Sequence, residues 1–257
     1  MNCGCIYERK TRITYYDLDF RGGIKLSALL RMVHIAADVN ANDLGIGFEV
    51  LSAMNMSFVL QRFGLSIHRM PAYNENVIIR TWPDSVSRGT FLRKGDMHDD
   101  GGQKIMEWAS LWILFDIGAR KILKPTALPI TLPTPSDLGV SILPEKIPLH
   151  TDAINRFSNY IHTVHYAEVD TNMHMNNSIY GDLVGNALFS NPDLPARNWR
   201  EVQINYLAET RLGDEIEVNA YQESNTMLVV GSTPERVAFS AKIITDPLRK
   251  LCPKSSN

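Results

Sequence analysis

Apolar and polar positions alternate along most of the chain, and two segments break that alternation. In these two, about residues 27–40 and 177–190, apolar side chains recur every three or four positions, which predicts helices. The other segments are rich in β-branched and aromatic residues, which favours strands. The predicted strands are residues 12–18, 58–68, 77–82, 90–97, 104–115, 159–169, 201–207, 215–221, 227–231 and 237–245.

A proline-rich segment separates the two helices. Six of the thirteen prolines fall between residues 124 and 149. Proline at this density blocks both helices and central strands. We therefore predict a connector over residues 125–149, between an N-terminal domain, 1–124, and a C-terminal domain, 150–257.

The two parts read as copies of one pattern. A shift of 151 residues aligns 17–19 with 168–170, and a shift of 139 aligns 74–79 with 213–218. A repeat of this length indicates two copies of one domain rather than a solenoid. One long helix with four or five antiparallel strands per copy predicts an α+β fold, with each sheet wrapped around its helix. Two copies in one chain can pair edge to edge.

Composition narrows the function classes. The 257 residues are 44% hydrophobic and 21% charged, and the formal net charge of −2 provides no basic field for nucleic acid. No apolar run approaches the ~20 residues of a membrane helix. The N-terminus has no apolar signal core, so we expect a cytoplasmic protein.

The cysteines are few and lie near the ends of the chain. Cys3 and Cys5 are one residue apart, and Cys252 is the third. Without a third and fourth ligand nearby they form a weak metal site, so we expect free thiols, no metal and no cofactor.

The segment 168–177 concentrates polar side chains directly before the second helix. If it is extended, Asp170, Asn172 and His174 lie on one side. A carboxylate, an amide and an imidazole together can act on a carbonyl group. Asp170 would orient the loop or Asn172, and Asn172 would donate a hydrogen bond to the carbonyl region.

Two further features complete this hypothesis. Asn176 or Asn177 could cap the helix, whose first turn would then offer free N–H groups to a thioester or ester carbonyl. Glu209 follows the strand 201–207 and could activate water as a general base. His174 would share that work or protonate the leaving group.

The first copy keeps an aspartate, Asp19, at the position of Asp170 but lacks the rest of the polar set. The same shifts align Asn172 with Arg21, His174 with Gly23 and Glu209 with Met70. Taken singly, such residues are more often solvated side chains or residues that cap a turn or helix. Their joint presence in one copy and joint absence in the other favours a site in the C-terminal copy.

These motifs resemble the acyl-acyl carrier protein (ACP) thioesterases of plants and bacteria. The resemblance runs from about residue 8 to 246 and is carried by residues 170–180 and 205–210, with 57–62 and 108–114 in the first copy. It implies a double hotdog fold and a catalytic set of Asp170, Asn172, His174 and Glu209. Plant members often carry a cysteine after the glutamate, where this chain has Thr210, so we prefer activated water to a cysteine nucleophile.

The resemblance also implies the substrate and partner. The substrate would be a fatty acyl chain on the phosphopantetheine arm of ACP, with the first copy shaping the acyl pocket. We expect Leu29, Leu30 and Val33 to line it, with Met32 and Met54 as adaptable filler. A basic surface would meet the acidic carrier. Its candidates are Arg88, Arg93, Lys94, Arg120, Lys121 and Lys124.

Other functions stay open at this point. An acyl-CoA thioesterase of hotdog type and a non-catalytic acyl-binding module share the pattern. Hotdog dehydratases take their histidine and carboxylate from different copies, whereas here both lie in the second copy. The oligomeric state is open, with a homodimer as one option.

Overall fold

One antiparallel sheet dominates the computed structural model, which describes residues 4–136, 138–149, 155–189 and 199–246. Eleven strands are present in these ranges. They are β1 (Tyr7–Arg12), β2 (Met56–Ile67), β3 (Asn76–Ser87), β4 (Thr90–Asp99), β5 (Lys104–Asp116), β6 (Lys121–Leu123), β7 (Asn155–Thr163), β8 (Trp199–Tyr206), β9 (Glu215–Glu223), β10 (Thr226–Ser232) and β11 (Val237–Thr245). The α-helices are α1 (Leu26–Asp43), α2 (Phe48–Ala53) and α3 (Ile179–Phe189).

The strand order repeats about the middle of the sheet. It runs β1-β3-β4-β5-β2 and then β8-β11-β10-β9-β7, with β6 paired to β5. The central pair β2–β8 joins the halves, from Arg62 opposite Asn205 to Ser66 opposite Glu201. Each half uses its own second strand at the junction, so neither leaves that edge unpaired.

Backbone hydrogen bonds confirm the alignment of the two halves. The Ile13 N–H donates to the Glu75 carbonyl at 2.8 Å, and the Val164 N–H donates to the Asp214 carbonyl at 2.9 Å. The shifts of 151 and 139 residues map the first bond onto the second. The sequence repeat is therefore a repeat of three-dimensional structure.

The two long helices pack against each other in one apolar core. Side chains from α1, α3 and both halves of the sheet form this core. At the crossing, the Ser27 hydroxyl donates to the Asp182 carboxylate. A Cβ at Gly181 would lie 2.7 Å from the Ser27 backbone nitrogen, so only glycine permits this approach.

The later part of the proline-rich connector, residues 141–147, follows the sheet on the side away from the helices. The Asn205 amide accepts from the Ile147 N–H at 2.9 Å and donates to the Glu145 carbonyl at 2.7 Å. Its strand neighbour Ile204 points into the helix core. Side-chain amides of β8 thus bind the connector's backbone groups, which proline leaves without a strand partner.

Several predicted element boundaries were wrong. The strands expected over 12–18 and 159–169 end at Arg12 and Thr163, and a turn of 3₁₀ helix follows each, Tyr15–Asp17 and Tyr166–Glu168. In the first turn the Asp17 carboxylate accepts from the Thr14 N–H at 2.8 Å, which favours the turn over a strand. The short elements α2 and β6 were missed, since neither spans enough residues to show a period.

Cys5 is buried and disulfide-bonded, so the expectation of a free thiol was wrong there. Cys3 and Cys252 lie outside the described residues. Among the helices of the described ranges, none is long and apolar enough to cross a bilayer.

Candidate active site

The segment before α3 is a closed loop, not an extended strand. The Asp170 N–H donates to the His174 carbonyl at 3.0 Å, and Met173 has a φ of 63°. Asp170, Asn172 and His174 therefore do not share one side by strand alternation, and that part of the sequence argument was wrong. The loop nevertheless directs each side chain to a definite partner or cavity.

Asp170 holds this loop together. One carboxylate oxygen accepts from the Asn172 N–H at 2.8 Å and the other from the Asn176 amide at 3.3 Å. In the first half, Asp19 accepts from the Arg21 N–H at 2.9 Å in the same way. Both halves thus keep this carboxylate and its bond within the loop.

His174 and Glu209 form the central pair of the site. The His174 Nε2 atom lies 3.0 Å from Glu209 Oε2, with side chains 27% and 33% exposed. That leaves both atoms within reach of water and substrate. Arginines surround the same carboxylate, with Arg120 Nη2 at 3.6 Å and Arg211 Nη2 at 3.7 Å. The structure thus brings together the two residues that the sequence selected from separate segments.

Thr210 fixes the position of Glu209. Its carbonyl accepts from the Met175 N–H at 2.8 Å, and its hydroxyl is 3.0 Å from the Tyr180 hydroxyl. Thr210 is fully buried. The segment carrying Glu209 is therefore tied on one side to the His174 loop and on the other to α3. Sequence reasoning considered Thr210 only as a replacement for cysteine and missed this role.

The start of α3 is more fully bonded than expected. The Asn176 side-chain oxygen accepts from the Ser178 N–H at 3.0 Å, and the Asn176 carbonyl accepts from the Ile179 N–H at 2.9 Å. Asn176 is therefore the capping residue, and most of the first-turn N–H groups are occupied. Among the described residues, the Asn177 N–H and the Asn172 side-chain amide have no hydrogen-bond acceptor.

An apolar cavity of about 260 Å³ opens beside this loop. Asn172, Asn176 and Asn177 line one part of it, and the rest comes from α1, α2, the loop between them, β2 to β5 and the connector. Its aromatic and aliphatic walls fit an acyl chain. The wall residues are Ala37, Ala41, Ile46, Phe48, Leu51, Met56, Phe58, Pro83, Phe91, Leu92, Trp112 and Leu132, with His34, Asp38, Ser57 and Arg93 as its other polar members.

The predicted acyl-pocket residues on α1 do not face this cavity. Leu29, Leu30 and Val33 belong to the main core, where Met32 also packs, and Met54 is 39% exposed outside the cavity wall. The helix presents His34 and Ala37 to the cavity instead. The predicted helix therefore lines this cavity, but through another face than the one expected, because apolar periodicity marks the side that packs against other elements.

A second cavity, of about 670 Å³, lies at the related position of the first half. Gly23 and Met70, the counterparts of His174 and Glu209, both line it. Arg21, the counterpart of Asn172, packs its guanidinium over the Phe189 ring at 4.5 Å. The fold thus brings the same positions together twice and has a histidine–glutamate pair in one of the two places.

The expected carrier-binding cations divide into two groups. Arg88, Arg120, Lys121 and Lys124 are exposed. Arg93 lines the first cavity, and Lys94 pairs with Asp84 at 2.9 Å. Arg93 and Lys94 are therefore removed from the surface candidates.

Two hotdog-like halves with a histidine–glutamate pair beside an apolar cavity define the class of the double hotdog thioester hydrolases. Family comparison agrees. Residues 4–126 match the acyl-ACP thioesterase N-terminal domain and residues 151–243 match the acyl-ACP thioesterase C-terminal domain. The chain belongs to the acyl-ACP thioesterase family. Comparison with curated proteins gives no match.

Solved structures share the whole fold. An acyl-ACP thioesterase from Bacteroides thetaiotaomicron is 22% identical with a TM-score of 0.75, covering 94% of this chain and 98% of that one. The 12:0-ACP thioesterase from Umbellularia californica is 15% identical with a TM-score of 0.80, covering 95% and 98%. At these identities the likeness confirms the α+β double hotdog fold.

Proposed function

We propose that this protein hydrolyses fatty acyl-ACP thioesters with water activated by the Glu209–His174 pair, releasing free fatty acid and ending chain elongation in fatty acid synthesis. Family membership supports the reaction, and the 3.0 Å contact between His174 Nε2 and Glu209 Oε2 supports the mechanism. Such a pair can take a proton from water and return it to a leaving group.

The chemical steps need one water and no covalent enzyme intermediate. The water oxygen attacks the thioester carbonyl carbon while its proton passes to the Glu209–His174 pair. The resulting oxyanion accepts hydrogen bonds from the Asn172 amide and the Asn177 N–H, which have no acceptor among the described residues. The C–S bond then breaks, and His174 delivers the proton to the pantetheine thiolate.

Thr210 is not the nucleophile in this mechanism. Its hydroxyl is fully buried against Tyr180, and no histidine lies within hydrogen-bonding distance of it among the described residues. A serine or threonine nucleophile requires an adjacent base and access to the substrate. Hydrolysis by activated water requires neither at this position.

We further propose that the first half holds the acyl chain and that the second half carries out catalysis. The cavity supports this division, since Asn172, Asn176 and Asn177 are its contribution from the second half, while all its other wall residues precede the connector or lie within it. The carbonyl would then be placed where the His174 loop meets the cavity.

The test is hydrolysis of acyl-ACP substrates spanning several chain lengths, with analysis of the free acids. Release from ACP well above release from the matching acyl-CoA supports the proposal. Faster turnover of acyl-CoA would assign the protein to the acyl-CoA thioesterases instead. Glu209→Gln serves as the inactive reference, since the amide keeps the shape but cannot accept the proton.

Carrier recognition has a separate test. Lys121 is exposed on β6, beside Arg120, which pairs with Glu209. Lys121→Glu should raise KM for acyl-ACP severalfold and leave an acyl-N-acetylcysteamine thioester unaffected. Lys146→Glu, an exposed change of equal charge in the connector, is the control. Equal effects of the two variants would argue against docking at β6.

A further inference from the structure

A half-buried cation without an ion-pair partner lines the acyl cavity. Arg93 on β4 lines it, and its Nη1 atom donates to the Asn40 side-chain oxygen at 2.7 Å and to the Thr81 hydroxyl at 3.3 Å. Both partners are neutral, and no carboxylate of the described residues pairs with Arg93. Burial lowers the pKa of Arg93 to about 10, so the guanidinium is still charged at neutral pH. A charge that is partly removed from water and has no ion-pair partner is stabilised when another polar group binds it.

A second polar group in the same wall also lacks a partner. The Nε2 atom of His34, on α1, is buried without a hydrogen bond within the described ranges, and the ring meets Phe63 and Trp112 edge to face. Burial lowers the pKa of His34 to about 4, so the imidazole is neutral at pH 7. A neutral imidazole can either donate or accept a hydrogen bond.

These two groups do not suit a saturated acyl chain. Most of the surrounding wall is alanine, leucine and aromatic rings, which methylene groups can fill. A hydrocarbon chain would cover the cavity side of the His34 ring and the free side of the Arg93 guanidinium without a hydrogen bond to either. Leaving buried polar groups unsatisfied weakens binding, whereas a ligand oxygen at the same place would strengthen it.

We propose that the acyl chain released by this enzyme carries an oxygen function, a hydroxyl or keto group, that is bound by Arg93 and His34. The inference rests on the proposed function, because it assigns the preferred substrate of that same site. Arg93 donates through the guanidinium N–H groups not used by Asn40, and His34 provides the second hydrogen bond. The catalytic pair acts on the thioester in the same way for either kind of chain.

The experiment compares wild-type hydrolysis of ACP thioesters of one chain length. One carries a saturated chain, and the others carry a hydroxyl or keto group at the β carbon, in mid-chain or at the terminus. At least one oxygenated chain should exceed the saturated chain in kcat/KM by about tenfold or more. If the saturated chain is hydrolysed at least as fast as every oxygenated one, the substrate assignment is wrong and the thioesterase function stands. If no ACP thioester is hydrolysed, both proposals fall.

Variants test the named residues. Arg93→Met and His34→Leu should bring the ratio of oxygenated to saturated turnover towards one. Arg93→Lys, which keeps a charged donor, should retain part of the preference. Arg31→Met changes an exposed arginine of α1 and should leave the ratio unchanged. A preference that persists in both folded cavity variants would overturn the role of Arg93 and His34. The wild-type comparison decides the substrate class even if a variant does not fold.

Discussion

The backbone N–H of Met175 donates to the carbonyl of Thr210 at 2.8 Å, and this bond joins the residues that follow His174 and Glu209. Because this bond holds Met175 and Thr210 together, the residues directly before them are held close as well. The His174 imidazole and the Glu209 carboxylate therefore lie 3.0 Å apart. The contact between these two partly exposed side chains thus depends on a hydrogen bond between the two backbone segments that carry them.

Removing either member of the pair should abolish turnover without unfolding the protein. His174→Ala and Glu209→Gln should each lower kcat by about a hundredfold to ten-thousandfold, the usual contribution of an acid–base group. Both side chains are partly exposed, so the melting temperature should change little. Steady-state hydrolysis and thermal unfolding are the measurements. Glu215→Gln, an exposed residue of β9, is the control, and full activity in both site variants would refute the assignment.

Thr210→Val should behave as a structural change. The Tyr180 hydroxyl would lose its partner in a buried place, which costs about 1–3 kcal/mol of unfolding free energy. Urea denaturation measures this loss, and Thr210→Ser should recover most of it. Activity should fall much less than in Glu209→Gln. A loss as complete as that of Glu209→Gln, in a folded protein, would show that the hydroxyl takes part in the chemistry.

Asp170→Asn tests whether the carboxylate acts on the loop or on the substrate. The amide can keep one acceptor bond to the Asn172 N–H, so we expect partial activity, reduced about tenfold, from the less well-ordered loop. Asp19→Asn changes the equivalent loop and should leave kcat unchanged. Acyl-ACP hydrolysis by both variants is the measurement. Inactivity of Asp170→Asn equal to that of His174→Ala would assign a direct catalytic role.

His34 should make stability depend on pH. Its pKa is lowered from 6.5 to about 4 by burial, so between these values the unfolded chain binds a proton that the folded protein excludes. Above pH 6.5 the His34 imidazole is neutral in both states, so it does not lower the free energy of unfolding. As the pH falls from 7 to 5, this group lowers the free energy of unfolding by about 2 kcal/mol. Urea titrations at both pH values should show a smaller loss in His34→Leu than in wild type. Equal losses would contradict the buried, neutral imidazole.

The helix crossing gives a matched pair of substitutions. Gly181→Ala would place a methyl group 2.7 Å from the Ser27 backbone nitrogen and should destabilise the protein by about 2 kcal/mol or more. Gly185→Ala, one turn later on α3, meets nothing within 4 Å and should stabilise by up to about 1 kcal/mol. Thermal denaturation of both variants is the check, and a neutral Gly181→Ala would show that the helices can move apart.

The sequence was most informative where the two halves could be compared. Aligning His174 with Gly23 and Glu209 with Met70 predicted an asymmetric site, and the structure places each pair at equivalent positions. The comparison identifies positions that differ, but it says little about which way a side chain points.

The cavity could not be derived in the same way. Leu29 and Val33 follow the apolar period of α1 and pack in the core, while the neighbouring His34 and Ala37 face the cavity beside the His174 loop. Apolar periodicity identifies the helix face that packs against other elements. It does not identify residues that line a cavity, because no element packs against them there. Arg93 was predicted to lie on the surface because it is charged. The sequence does not reveal that this residue lines a cavity.

The central strand pair β2–β8 has a consequence for how such a protein can change over time. In an assembly of two identical chains, any substitution is made in both subunits at once, so a residue harmful to one site harms both. Here the two halves share one continuous sheet but are encoded separately. A mutation at Gly23 leaves His174 untouched, and selection can therefore act on the two halves independently.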